Sequence, residues 1–143
     1  MQVSKVEDVD RINELKNLVE SHCATLNINY DSSEIKTSLM ALIAHPESCV
    51  FALEDDDTLK GYIIGTLSRN LVDGSVMCIE LGFYNEAKGH GQLLIDALEE
   101  WAQNTEASSV CMTSHNDTEG RLDSYYQRKG YQLKEKIYEK RIV

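Results

Sequence analysis

Apolar residues change their spacing at Pro46, and that change limits the folds open to this chain more than any other feature. Before Pro46 they recur at three- and four-residue steps. Val9, Ile12, Leu15, Leu18 and Val19 do so in VEDVDRINELKNLVESHCATL, and Ile35, Leu39, Leu42 and Ile43 in DSSEIKTSLMALIAHPES. Such steps lay one apolar stripe along a helix. Asp8 is the expected N-cap of the first helix, and Asp31 with Glu34 has capping-box spacing at the start of the second. Pro46 ends the second helix, because its ring disfavours helical geometry in the residue before it. Beyond it the pattern becomes that of strands: CVFALE and YIIGTLSR read as an antiparallel hairpin around DDDTLKG, and NLVDGS turns the chain into SVMCIELGF.

The helical period returns in QLLIDALEEWA, with Leu94, Ala97, Leu98, Trp101 and Ala102 on one face. SSVCMTSHN then reads as a strand, RLDSYYQRKGY as a short helix closed by Gly130, and YQLKEKIYEKRIV as a terminal strand. The expected order is helix, helix, three strands, helix, strand, helix, strand. That order defines an α/β fold with a mixed sheet and strand–helix–strand crossovers in its second half. With 143 residues, 42% of them hydrophobic, and no repeat or linker, one domain over 1–143 is expected.

Charge and cysteine usage narrow the function classes. The chain carries 14 Lys+Arg against 24 Asp+Glu, the opposite of the basic face that displaces counterions from nucleic-acid phosphates. An acidic surface instead concentrates amines. No apolar run approaches the ~18–20 residues of a membrane span, and the acidic start MQVSKVEDVD lacks a signal-peptide core, so neither nucleic acid nor membrane is expected and the location read is cytoplasmic. Cys23, Cys49, Cys78 and Cys111 show no CxxC spacing and sit in apolar segments, so they read as reduced thiols. No Cys/His/carboxylate cluster has metal spacing, and no metal is expected.

The stretch that points to chemistry is Glu86-Ala87-Lys88-Gly89-His90-Gly91, between a strand and a helix. Glycine there lets a ligand approach the backbone and leaves the first N–H groups of the helix pointing outward. With the positive end of the helix dipole, those donors suit a pyrophosphate. The nucleotide motifs GxxxxGK[ST] and GxGxxG are both absent. Further along stands Tyr125-Tyr126-Gln127-Arg128-Lys129-Gly130-Tyr131.

This pair of motifs, in this order, resembles the GNAT superfamily of acyl-CoA N-acyltransferases. The family loop pattern Q/R-x-x-G-x-G/A is matched by Gly89 and Gly91, and YYQRKGY matches the second signature position by position. The element order agrees over essentially the whole chain. Glu86 stands where the family has Gln or Arg, and a carboxylate beside a pyrophosphate is repulsive unless it points away or pairs with a cation such as Lys88.

The resemblance implies an N-acetyltransferase that moves an acetyl group from acetyl-CoA to a primary amine, by direct attack through a tetrahedral intermediate. It implies that the N–H groups of Ala87, Lys88, Gly89, His90, Gly91 and Gln92 hold the diphosphate. Leu81 would flank pantetheine and the thioester, with Phe83 the alternative register, and Asn116 would contact the pantetheine arm. Tyr126 matches the tyrosine that approaches the coenzyme thiol, and a phenol of pKa near ~10 can protonate a thiolate of pKa near ~8.5. Tyr125 beside it reads as a core aromatic. The amine must lose a proton first, and Glu80 is the candidate base; if Leu81 faces the cofactor, alternation turns Glu80 away unless a bulge intervenes. Asp73 is a weaker candidate within a turn, and His115 could reach the acceptor. The acceptor itself, a small molecule or a protein amine, is undetermined, and self-association into a homodimer is left open. A non-catalytic CoA-binding module of the same fold, or a loop holding another phosphate ligand, are the rival readings.

Overall fold

The computed structural model describes residues 1–115 and 120–142. Two compact units are distinguished, Met1–Thr113 and Ser114–Val143.

The first unit contains β1 (Gln2–Lys5), α1 (Ile12–Thr25), α2 (Ser32–Ala44), β2 (Ser48–Asp55), β3 (Thr58–Arg69), β4 (Val76–Asn85), α3 (Gly91–Gln103) and β5 (Ser109–Cys111). The strands form one sheet in the order β1-β2-β3-β4-β5. Pairing is antiparallel from β1 to β4 and parallel between β4 and β5, with α3 as the crossover that a parallel pair requires. Helices cover both faces. Ile12, Leu15 and Leu18 of α1 and Leu39 of α2 pack with Val50, Ala52, Leu59, Tyr62 and Ile64. On α3, Leu94, Ile95 and Leu98 are fully buried, each contributing roughly 1.5–3 kcal/mol by removal from water. α3 sits close to the sheet because β3 has glycine beneath it: a Cβ on Gly65 would lie 2.5 Å from Leu98 Cδ1 and 3.3–3.4 Å from the Cys78 and Cys49 sulfurs.

The helical stripes and the hairpin fall where the spacing puts them, and Asp31 caps α2 by accepting from the Ser33 and Glu34 N–H groups at 2.9 and 3.1 Å. Asp8 does not cap α1. Its carboxylate accepts from Asp10 N–H, and the helix starts later, with Arg11 at the N-cap. The delay follows from β1, which the pattern missed. Val6 N–H still donates to Val50 on β2, so the chain leaves the sheet only after that residue. QVSK is a largely exposed edge strand with little apolar signal to betray it. The hairpin turn is only Asp56-Asp57, at φ 48° and 64°. Aspartate tolerates that left-handed region better than most residues, which suits a two-residue hairpin. Arg11 ties α1 to this hairpin through Glu54 and the Asp57 carbonyl.

The second unit holds α4 (Arg121–Arg128), closed by Gly130 at φ 93° and by Tyr131 N–H donating to the Tyr126 carbonyl. The expected terminal strand is not formed. Residues 131–142 carry no strand, and Leu133, Ile137, Tyr138 and Ile142 are exposed. A strand exists only through ladder bonds to a neighbour, and no other strand lies among the described residues of this unit. No described helix is long and apolar enough to cross a membrane.

Candidate functional site

The glycine loop is braced from beneath by Asn85. Its Nδ2 donates to the Ala87 carbonyl at 2.7 Å and its Oδ1 accepts from Ala87 N–H at 2.9 Å. His90 N–H turns back to the Ala87 carbonyl. Of the N–H groups expected to face a diphosphate, Ala87 and His90 direct theirs within the loop. Lys88, Gly89, Gly91 and Gln92 keep N–H groups with no partner among the described residues, the last two in the first turn of α3 where helix geometry supplies none. Gly89 sits at φ 84° with open space around the missing side chain. Gly91 is glycine for a different reason: its Cβ would press on Phe83 Cζ at 3.3 Å and Asn85 Nδ2 at 3.4 Å. Phe83 therefore supports the loop with its ring. The N–H groups and the helix dipole make a cradle that fits a diphosphate.

A bulge interrupts β4 one turn of the pleat earlier. Gly82 pairs with Ile64 and Glu80 with Gly65, which leaves Leu81 unpaired between them. Leu81 is 53% exposed while Glu80 beside it is 6% exposed. The Glu80 carboxylate accepts from Thr113 N–H at 3.1 Å. Burial pushes its pKa up to about 7, opposed by that hydrogen bond. A carboxyl at this value exchanges a proton near neutrality. β5 pairs only with Met77, Cys78 and Ile79, so the β4 edge from Glu80 to the glycine loop has no strand partner on that side among the described residues.

The Glu86 carboxylate is engaged by a neighbouring side chain of β4. It accepts from the Tyr84 phenol at 3.0 Å, the Glu86 N–H donates to the Lys60 carbonyl, and among the described residues the carboxylate forms no ion pair with Lys88. Burial, then the Glu86 bond, raise the Tyr84 pKa. The Tyr84 ring stacks on His22 of α1 with centroids 5.0 Å apart. His22 Nδ1 in turn hydrogen-bonds the buried Tyr62 hydroxyl at 2.7 Å. Sequence spacing offered no sign of this Tyr62–His22–Tyr84 group, whose members lie on three elements. For Asn85 a signal existed, because asparagine readily bonds the backbone two residues on.

In the second unit, Tyr126 is buried, with its ring 5.4 Å from Tyr131 and 6.3 Å from Tyr125. Tyr125, expected in the core, is only half-buried. Asn116 lies outside the described residues. Asp73 accepts from Ser75 N–H in an exposed turn, which fits a turn-forming role, and His115 is exposed. All four cysteines are free; burial raises Cys49 to about 12 and Cys78 to about 11. A cleft of about 510 Å³ between β1 and α3, lined by Phe51, Leu93 and Trp101, contains none of the expected site residues.

No protein-family model matches the sequence, and no curated protein matches it. Solved structures do match along the chain. A probable acetyltransferase superposes with a TM-score of 0.80 at 17% identity, over 100% of this chain and 99% of that one. The ribosomal-protein-alanine N-acetyltransferase from Brucella melitensis biovar Abortus 2308 gives 0.74 at 15% identity, over 99% and 100%. The AAC(6')-Iy enzyme in complex with a CoA-containing bisubstrate analogue gives 0.79 at 14% identity, over 98% and 97%. The chain has the fold of the GNAT N-acetyltransferases.

Proposed function

We propose that this protein is an acetyl-CoA-dependent N-acetyltransferase, acting on a primary amine by direct attack with no covalent acyl-enzyme, and that residues 1–143 form one catalytic domain. The observation that carries the reading is the layout of β4. One strand bears a buried carboxyl with a pKa of about 7, an unpaired bulge residue next to it, then an edge without a strand partner and a loop of N–H groups without partners, both among the described residues. Lys88, Gly89, Gly91 and Gln92 hold the diphosphate through backbone N–H groups. The Leu81 backbone flanks the thioester, its N–H serving the carbonyl oxygen as charge develops. Glu80, as carboxylate, takes a proton from the substrate ammonium, directly or through water, and the neutral amine then attacks the thioester carbonyl. Tyr126, matched by motif, returns a proton to the departing thiolate. The net charge of −10 favours a cationic acceptor.

Calorimetric titration tests the binding half. Acetyl-CoA should bind more tightly than ADP, because only the former uses the open β4 edge; equal affinities would leave a phosphate site without acyl chemistry. Acetyl-CoA consumption across small amines, polyamines, aminoglycosides and peptide amines tests the rest. Binding without turnover on any of them would favour a non-catalytic CoA-binding module.

A further inference from the structure

We propose that Tyr62 and His22 are positioning residues that fix the register of the β4 bulge, and so decide that Leu81 is the residue left unpaired beside Glu80. Calling this place the thioester site rests on the function proposed above; the register lock itself does not. A bulge can move along a strand by one residue, and each such move sends a side chain to the other face of the sheet. Two packed groups bracket this one. If the bulge moved toward Asn85, Leu81 would take Gly82's place opposite Ile64. The Tyr62 ring occupies that space: even a Cβ on Gly82 would meet Tyr62 Cε2 at 3.1 Å and its hydroxyl at 3.5 Å. If it moved toward Val76, Leu81 would take Glu80's place opposite Gly65, and the buried Glu80 carboxylate would lose its seat and its bond from Thr113 N–H. The second barrier is the seated Glu80 side chain. The first depends on one side chain held in place.

What holds it is His22. Tyr62 is 3% exposed, and its hydroxyl hydrogen-bonds to His22 Nδ1 at 2.7 Å. His22 is in turn clamped by its stack on Tyr84 at 5.0 Å, with planes 16° apart. The ring lying across Gly82 is thus anchored at its far end to α1, and Gly82 is the one residue type that leaves room for it.

The test uses the full chain labelled with ¹⁵N, the ADP titration and the best amine of the panel. Tyr62→Phe keeps the ring but frees it from His22. It should shift the Leu81 and Gly82 amide resonances and lower kcat about tenfold, the mild end for a displaced backbone donor. ADP affinity should stay within about twofold, since the diphosphate cradle is untouched. His22→Leu should reproduce both effects, and the double variant should add nothing, as for two residues acting through one bond. A loss of thermal stability with unchanged amide resonances and kcat would overturn the proposal. If Tyr62→Phe does not fold, Gly82→Ala presses on the same ring from the other side, and unchanged amides there would overturn it equally. Should the wild-type protein acetylate no amine, the function proposal fails while the amide resonances still decide the register lock.

Discussion

Thr113 N–H donates to the Glu80 carboxylate at 3.1 Å, tying the middle of β4 to the chain just past the end of β5. The bond favours the ionised form, yet burial outweighs it and the pKa rises to about 7. The proposed base is therefore half-ionised near neutral pH and held in one orientation.

For Glu80, kcat/KM for the amine should rise with pH and level off above about 7, because only the carboxylate accepts a proton. Glu80→Gln should lose that limb and about 10²–10⁴-fold in rate, the usual range for a positioned base. Stability should move the opposite way. The folded state keeps this proton up to about pH 7, whereas an unfolded glutamate releases it near ~4.3. Between those values the folded state binds more protons, so stability falls as pH rises and stays lowered above pH 7. Glu80→Gln should flatten that slope and melt higher than wild type at pH 8. A wild-type rate profile flat through pH 7 would remove Glu80 as the base.

The Glu86 carboxylate is drawn toward Tyr84, so its effect on a diphosphate at α3 should be small. Glu86→Gln should tighten acetyl-CoA by less than about 0.5 kcal/mol at low salt, with no difference at high salt. Tyr84→Phe removes the hydroxyl that holds the carboxylate back. It should weaken acetyl-CoA binding at low salt and recover as salt is added. If Tyr84→Phe binds as wild type does at every ionic strength, the hydroxyl does not shield the site.

The two loop glycines should fail differently. Gly89→Ala forces a Cβ onto a residue at φ 84° with empty space around it, a backbone cost of roughly 1–2 kcal/mol. Gly91→Val would strike Phe83 and Asn85, break the Asn85–Ala87 brace and misplace the whole cradle. Acetyl-CoA affinity should therefore fall further in Gly91→Val, and Asn85→Ala should follow it. Melting curves paired with titrations separate strain from lost binding; unchanged affinity in Gly91→Val would mean the diphosphate lies elsewhere.

These residues also mark how far the sequence alone could be read. The stripes of α1, α2 and α3 and the strand–loop–helix holding Gly89 and Gly91 are local periodicities, legible without knowing what packs against what. The bulge at Leu81 was open only as an alternative, because a bulge is a property of two paired strands and their register. The Glu80–Thr113 bond and the Tyr62–His22 pair join residues distant in sequence that meet only once the sheet and α1 are assembled. β1 was missed because an exposed edge strand buries too little to show alternation. Residues 131–142 alternate well enough to suggest a strand, but alternation does not supply a ladder partner.

Tyr126 and Tyr125 offer a direct comparison of neighbours. Tyr126 is the buried one, its ring 5.4 Å from Tyr131, and Tyr125 is half-buried beside it. If Tyr126 protonates the leaving thiolate, Tyr126→Phe removes only the hydroxyl, and the ring keeps its packing against Tyr131. Acetyl-CoA affinity and melting temperature should change little. The loss should fall on the chemical step, so kcat and kcat/KM for the amine drop together. A positioned general acid is worth about 10²–10⁴-fold, and the lower end is expected because a thiolate leaves readily and water can partly replace the phenol. Tyr125→Phe is the control and should stay near wild type. Near-normal kcat in Tyr126→Phe would remove this hydroxyl from the mechanism, and the same loss in Tyr125→Phe alone would transfer the role to its neighbour.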